Sequence, residues 1–301
     1  MPDSSAWHEI DPRDALRTLG YAEPADLKPV LGGWDTAIWR FGSGDGCHHA
    51  LRVFRGPDWA EPATRERAAL EAAAAAGLPV PAVEAFGQWR DLPTMVISWC
   101  PGEPLLQCIE RRPWSMWRLS RLLGEVQARI HAVPPPEALR RGAPTYWLAR
   151  AGHDAEACAS ALASAGVSSG SLIHGDYHPL NVLSDGRVIT GIVDWTLAAA
   201  GDARADLAMT TAILQTAPVP PSPLSPLLKV ARWLVYLAWR RGYQSVAGPI
   251  PDLAPFLVWA GAAFLNETVP RIGEAHVWGT EEDMEALRRW TARWRRRAGI
   301  G

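Results

Sequence analysis

Between Ser171 and Trp195 the chain runs Ser-Leu-Ile-His-Gly-Asp-Tyr-His-Pro-Leu-Asn-Val-Leu-Ser-Asp-Gly-Arg-Val-Ile-Thr-Gly-Ile-Val-Asp-Trp. Two short apolar runs, 181–183 and 187–193, flank Asp185-Gly186, a pair that favours a two-residue hairpin turn. A hairpin brings its ends together. Asn181, at the start of the first strand, and Asp194, just past the second, then stand side by side although thirteen positions separate them. The polar loop that enters the hairpin adds a third oxygen-bearing side chain, Asp176. Each of the three has an ordinary reading as a loop cap or turn residue. Their order and spacing, with strands between the last two, go beyond what caps require. Chemically, Asp176 can accept the proton of an attacking hydroxyl. Asn181 and Asp194 can offer oxygen ligands to magnesium around a nucleoside triphosphate.

The bulk properties permit this reading without suggesting it. At 301 residues the chain has room for one large or two moderate domains with ample core. A formal charge of −2 argues for neither a nucleic-acid nor a membrane partner. Met1 to Asp14 is polar and acidic, unlike a secretory signal. The longest apolar run, 256–265, is too short to span a bilayer. The four cysteines, Cys47, Cys100, Cys108 and Cys158, form no C-x-x-C pair and suit a reducing, cytoplasmic setting. No repeat of 20–50 residues is visible. Of 30 basic residues only Lys28 and Lys229 are lysines, which a GC-rich genome explains most simply.

Along the chain, 27–31 and 36–41 read as strands about a Gly32-Gly33 turn, and 50–54 as a third strand after a glycine-rich loop at 42–46. An Ala-rich helix follows, with Thr64 as its cap and Gly77 and Pro79 as its stop. Two more strands, 80–86 and 94–99, end at Pro101-Gly102, which reads as a hinge beyond which the sequence turns helical. The helix at 114–131 sets Leu119, Leu122, Leu123, Val126 and Ile130 on one face, and Pro134-Pro-Pro136 ends it. Signals at 142–170 are weak, with 154–165 helical. Beyond Ala203 only helices are read, at about 204–215, 224–243, 252–268 and 281–297.

The spacing Asp176-x4-Asn181 is that of a kinase catalytic loop, and Asp194 stands where the kinase metal aspartate stands. With these residues the chain resembles the aminoglycoside phosphotransferase and choline-kinase-like group of small-molecule kinases. His174-Gly-Asp-x4-Asn181 is similar to that group's catalytic loop, and Ile192-Val-Asp-Trp195 to its metal segment. Gly201-Asp-Ala-Arg-Ala-Asp-Leu-Ala208 is similar to the motif that follows. Gly77-Leu-Pro-Val-Pro81, Trp99-Cys-Pro-Gly-Glu-Pro-Leu105 and Ile130-His131 are further landmarks. The resemblance covers about residues 27–210, and the last ninety or so match only in being helical.

What the resemblance implies is an α+β, bilobal protein-kinase-like fold. A small antiparallel-sheet N-lobe with one main helix would take residues 1–100, and a larger, mostly helical C-lobe residues 101–301. Asp176 would be the base, and Asn181 and Asp194 would hold Mg2+. Gly32 and Gly33 would lie over the phosphates of ATP or GTP. Glu66 would pair with the basic residue of the third strand, and Asp206 would tie down the catalytic loop through backbone N–H groups. His174 would orient that loop rather than titrate. The implied activity is transfer of the γ-phosphate to a hydroxyl of a small molecule, with antibiotics among the acceptors of the group. Two alternatives stay open: a nucleotide-binding pseudokinase, and a metabolic kinase for homoserine, choline or a sugar. A protein kinase is disfavoured, since Asp194-Trp-Thr196 lacks the Asp-Phe-Gly glycine and no Ala-Pro-Glu follows.

The departure lies on the third strand, where Arg52 stands in the slot that many kinases fill with lysine. Arginine keeps the charge but changes its geometry. Gly32-Gly33 reads equally well as a plain hairpin turn. His178, between Asp176 and Asn181, could touch substrate or phosphate but reads better as a solvated loop histidine, and His48-His49 as a pair without metal partners. Of the 16 tryptophans, Trp233, Trp239, Trp259, Trp278, Trp290 and Trp294 crowd the helical end. Core filling accounts for most of them, an aromatic acceptor pocket being the alternative. Glu274 and the Glu281–Glu285 cluster suit either a polyamine or the dipole of a helix start. The acceptor's identity, ATP against GTP and the oligomeric state are unspecified by the sequence.

Overall fold

The computed structural model describes residues 10–30, 36–44, 46–55, 57–219, 222–273 and 279–300. Five antiparallel strands form one sheet in the order β1-β2-β3-β5-β4: β1 Ala25–Val30, β2 Thr36–Gly42, β3 His48–Phe54, β4 Val83–Trp89 and β5 Leu92–Ser98. Helix α1 (Pro12–Thr18) packs Leu16 on one face, with Trp39, Phe41, Leu51 and Val53. Helix α2 (Ala60–Ala75) covers the other, with Ala50, Phe54, Leu70 and Met95. Strand side chains alternate between faces, so Arg52 shares the α2 face with Ala50 and Phe54. It is the one buried charge on that strand face, and α2 must answer it.

The remaining chain is mostly helical, with two short strands, β6 Glu103–Pro104 and β7 Ser171–Ile173, ahead of the hairpin: α3 Leu105–Arg111, α4 Met116–His131, α5 Ala155–Ser164, α6 Ala203–Thr216, α7 Ser225–Ala247, α8 Ala254–Thr268 and α9 Glu281–Ala298. Helices α4 and α7 meet through two glycines. A methyl on Gly124 would run into the Trp239 carbonyl, and one on Gly242 into the Arg121 carbonyl. The Trp147, Trp259 and Trp290 side chains build a second core around α8. No described helix is long and apolar enough to cross a membrane.

Four sequence expectations are corrected. Thr64 does not cap α2 but lies inside it, its hydroxyl donating to the Ala60 carbonyl at 2.8 Å. The later strands shift to Val83–Trp89 and Leu92–Ser98, joined at Arg90 and Asp91, both at positive φ (47° and 64°). The Asp185-Gly186 turn is longer than two residues, because β8 (Val182–Ser184) pairs Ser184 with Ile189 of β9 (Ile189–Ile192). The Asp185 carboxylate closes that turn by accepting from the N–H groups of Arg187 and Val188 at 2.7 and 2.9 Å. Finally, Pro101-Gly102 is no free joint. Gly102 sits at φ +99° with Ser184 O 2.5 Å from where a Cβ would be, and Thr190 Oγ1 donates to Pro101 O at 2.5 Å. The next two residues, β6 (Glu103–Pro104), pair with β8.

Candidate active site

The hairpin does bring its ends together. Val193 N donates to Asn181 O at 2.9 Å, which sets Asp194 beside Asn181. Asp194 has φ +63°, a conformation costly for a residue with a side chain. Its neighbour Trp195 is fully buried, donates its indole N–H to Ile192 O at 2.9 Å, and packs its ring 4.7 Å from that of His174. With Trp195 anchored inward, Asp194 turns outward, where Thr196 Oγ1 donates to its Oδ1 at 2.7 Å.

Asp176 reaches the same place from the loop. Asn181 Nδ2 donates to Asp176 Oδ2 and to Asp176 O, both at 3.0 Å. His178 Nε2 lies 3.3 Å from Oδ2, and its Nδ1 accepts from Leu180 N at 3.3 Å. His178 is thus half-buried and held in the site, a correction to the solvated histidine expected. Burial works against charge on either partner. Even so, the positive charge and hydrogen bond of His178, with Arg150 further off, hold the Asp176 carboxyl below its usual range. Conversely, burial would lower the His178 pKa, but Asp176 and then Asp194 raise it overall. The loop itself is pinned by His174, whose Nε2 donates to Val193 O at 3.1 Å while Nδ1 accepts from Asp176 N at 3.3 Å. That pattern is the neutral ring, and burial depresses the His174 pKa accordingly.

Asp206, in the first turn of α6, lies beneath the loop. Its Oδ1 accepts from Gly175 N at 2.7 Å, and its Oδ2 from Gln127 Nε2 at 3.1 Å and His131 Nε2 at 3.0 Å. His131 Nδ1 continues to the Tyr243 hydroxyl at 3.0 Å. Burial would raise the Asp206 pKa, yet the His131 hydrogen bond and charge, then His174 and Gln127, bring it down from 3.8 to about 2. A folded-state pKa below the unfolded one adds stability that is whole above about pH 4 and is lost as pH falls toward 2. Urea unfolding at pH 5 and pH 2.5 is expected to show about 2 kcal/mol of this loss, and Asp206→Asn should flatten that part of the profile. An unchanged slope in the variant would remove Asp206 from this role.

On the sheet side, Arg52 Nη1 pairs with Glu66 Oε1, both buried (6 % and 0 % exposed). Arg52 Nε and Glu66 Oε2 are buried without a hydrogen-bond partner. Burial, aided by Asp194, pushes the Glu66 carboxyl up, against the pull of Arg52. Arg52, Glu66, Asp176, Asn181 and Asp194 all line one cleft of about 830 Å³. His174 and Asp206 support it from below. Gly32, Gly33, Glu274 and Trp278 lie outside the described residues.

Two further side chains lining the cleft, Arg150 and Glu267, had no local sequence signal. Arg150 donates through Nε and Nη2 to both carboxylate oxygens of Glu267, at 2.6 and 3.0 Å, and through Nη1 to Gly175 O at 2.8 Å. Of the helical-end tryptophans, Trp239, Trp259 and Trp290 are core, as packing predicts, and Trp233 is exposed. The Glu281–Asp283 cluster opens α9, where Thr280 and Asp283 form a reciprocal capping box. His49 is a sheet residue, its Nδ1 2.5 Å from Glu84 and its Nε2 2.6 Å from Ser43.

The model of the phosphotransferase enzyme family matches residues 26–248. No curated protein sequence matches the chain. Among solved structures, a thermostable mutant of aminoglycoside phosphotransferase APH(4)-Ia in ternary complex with AMP-PNP and hygromycin B superposes with a TM-score of 0.65 at 18% identity, over 96% of this chain and 99% of that one. Macrolide 2'-phosphotransferase MphH from Brachybacterium faecium gives 0.55 at 21% identity, over 94% and 98%. Amicoumacin kinase hAmiN with AMP-PNP, Ca2+ and Ami gives 0.63 at 12%, over 98% and 96%. At these identities the likeness is one of fold: the bilobal protein-kinase-like fold, sheet lobe over helical lobe.

Proposed function

Because the chain belongs to the phosphotransferase enzyme family, we propose that its cleft carries out magnesium-dependent transfer of the γ-phosphoryl group of ATP or GTP to a hydroxyl of a small molecule. The observation that carries the reading is the meeting of Asp176, Asn181 and Asp194 in one cleft with the Arg52–Glu66 pair. Residues 1–100 would bind the nucleotide, and 101–301 would supply the loop, the hairpin and the acceptor wall.

The donor set suits magnesium. Asn181 spends its Nδ2 on Asp176, which leaves its Oδ1 to act as a ligand, and Asp194 is exposed to the cleft. Magnesium keeps several waters and shares substrate phosphates, so two protein oxygens suffice. Among the described residues no three His, Cys, Asp or Glu side chains form a cage that would hold an ion without substrate. When bound, the metal would neutralise charge on the β- and γ-phosphate oxygens. The partnerless Nε of Arg52 suits a phosphate oxygen in the same cleft, with Glu66 holding the guanidinium in line.

Asp176 acts on the acceptor. Both of its side-chain contacts use Oδ2, leaving Oδ1 to accept from a substrate hydroxyl. Its depressed pKa makes it a weak base toward a free alcohol. It therefore orients the hydroxyl first and takes the proton late, as the oxygen bonds to phosphorus. Phosphoryl transfer through a loose transition state asks for little more. A module that only binds nucleotide would have no use for this arrangement, which weighs against the pseudokinase alternative. A nucleoside triphosphate donor fits a cytoplasmic reaction. Hygromycin B, a macrolide and amicoumacin, named with the neighbouring structures, put antibiotics among the acceptors to try first.

The direct test incubates the purified protein with γ-labelled ATP, Mg2+ and hydroxylated acceptors. Label is expected on an acceptor hydroxyl, and EDTA should abolish its transfer. Absence of label on every acceptor and on water would overturn the assignment.

A further inference from the structure

The kinase reading leaves its acceptor open, and the far wall of the cleft bears on it. Among the described residues, the lining beyond Asp176 includes the apolar Leu197, Met209, Ile213 and Phe264 and the polar Arg150, Glu267, Thr196 and Thr268. Arg150 comes from the short segment Ala149–Asp154, kinked at Gly152, whose backbone is held at Arg150 O by Asn266 Nδ2 at 3.1 Å. Glu267 comes from the last turn of α8, the helix that also carries Phe264. Arg271, a second basic side chain, lines the same wall.

An ammonium-rich acceptor would need carboxylates to replace its water. Among the described residues the cleft is lined by four acidic side chains, Glu66, Asp176, Asp194 and Glu267. Glu66 is committed to Arg52. Asp176 and Asp194 belong to the proposed reaction. Glu267 has both oxygens bound by the Arg150 fork. A polycation entering this wall would meet a Glu267 carboxylate whose charge Arg150 already neutralises, and would face that guanidinium. An apolar body would instead find four apolar side chains to cover it.

We infer that the acceptor is an uncharged hydroxylated molecule with a largely apolar body, and that Arg150 sets this preference by masking Glu267. The inference rests on the kinase reading, and one set of measurements separates the two. Kinase chemistry is read as MgATP hydrolysis without acceptor, which Asp176→Asn should suppress. The acceptor class is read as affinity, by calorimetry and thermal shift with AMP-PNP and Mg2+ present. The probes are uncharged macrolactone polyols such as erythronolide B and polyamino sugars such as kanamycin.

The expected result is that uncharged probes bind at least about tenfold more tightly than polycationic ones. In Arg150→Gln, which unmasks Glu267, the ratio of the two affinities should move toward kanamycin by about tenfold. Because the ratio is taken within one variant, a general loss of affinity does not obscure it. Ile213→Glu, which adds a carboxylate to the same wall, should move the ratio the same way. Tighter binding of the polycations to the unsubstituted protein overturns the inference. So does failure of every uncharged probe to bind, or a ratio that neither variant changes. Hydrolysis that depends on Asp176 alongside preferred kanamycin would sink the acceptor class alone. No Asp176-dependent turnover of any kind would sink the parent reading and this one with it.

Discussion

Asp176→Asn is expected to slow phosphoryl transfer by about 10²- to 10⁴-fold with nucleotide affinity almost unchanged. The amide has the carboxylate's shape, so its oxygen can still accept from Asn181 and His178 in place of Oδ2. What it lacks is a second oxygen able to take a proton. Because the native carboxyl is held well below its ordinary range, Asp176 stays ionised through neutral pH and places no acidic limb on the rate profile there. Single-turnover kinetics with labelled ATP, set beside calorimetry of ATP binding, separate the chemical step from affinity. Near-native turnover in the variant would remove Asp176 from the chemistry.

Glu66→Ala should destabilise the fold by about 3–5 kcal/mol. Arg52 would remain on the buried face of β3 with its charge unanswered, since the pair is 6 % and 0 % exposed. Adding Arg52→Met removes the orphaned charge and should restore much of the loss, because an apolar side chain of similar size suits that face beside Ala50 and Phe54. ATP affinity should not return with it. Urea midpoints of the single and double variants give the stability cycle, and calorimetry gives the nucleotide term. A double variant as unstable as Glu66→Ala would contradict the buried-charge account. Undiminished ATP binding in Arg52→Met would show that Arg52 has no part in holding phosphate.

What was legible in the sequence was whatever is written locally. The helices beyond Ala203 were readable within a few residues from periodicity and stops, and the hairpin from its apolar runs and Asp185-Gly186. Because a hairpin converts sequence spacing into proximity, Asn181 and Asp194 could be paired without coordinates. The turn runs longer than its dipeptide suggests because Asp185 caps two N–H groups, a side-chain role that a turn dipeptide does not announce. Arg150 and Glu267 lie 117 positions apart on elements with no shared pattern, so only packing brings them together. His178 is hidden from local reading for a related reason: its burial comes from the folded loop around it, not from its neighbours in sequence. Gly124 and Gly242 carry no local signal either, since only the carbonyls that face them across the helix pair require a glycine there.

The short ribbon after Gly102 has a mechanical consequence. Glu103 and Pro104 pair with β8, and β8 runs back to Asn181. Ile192 N also donates to Pro79 O at 2.8 Å, tying the other ribbon strand to the segment after α2. The crossover is therefore tied to both strands of the ribbon. Any rocking must either unzip the ribbon or drag it along, and the dragged end holds Asn181 and Asp194. The crossover and the Asn181–Asp194 pair are two ends of one ribbon.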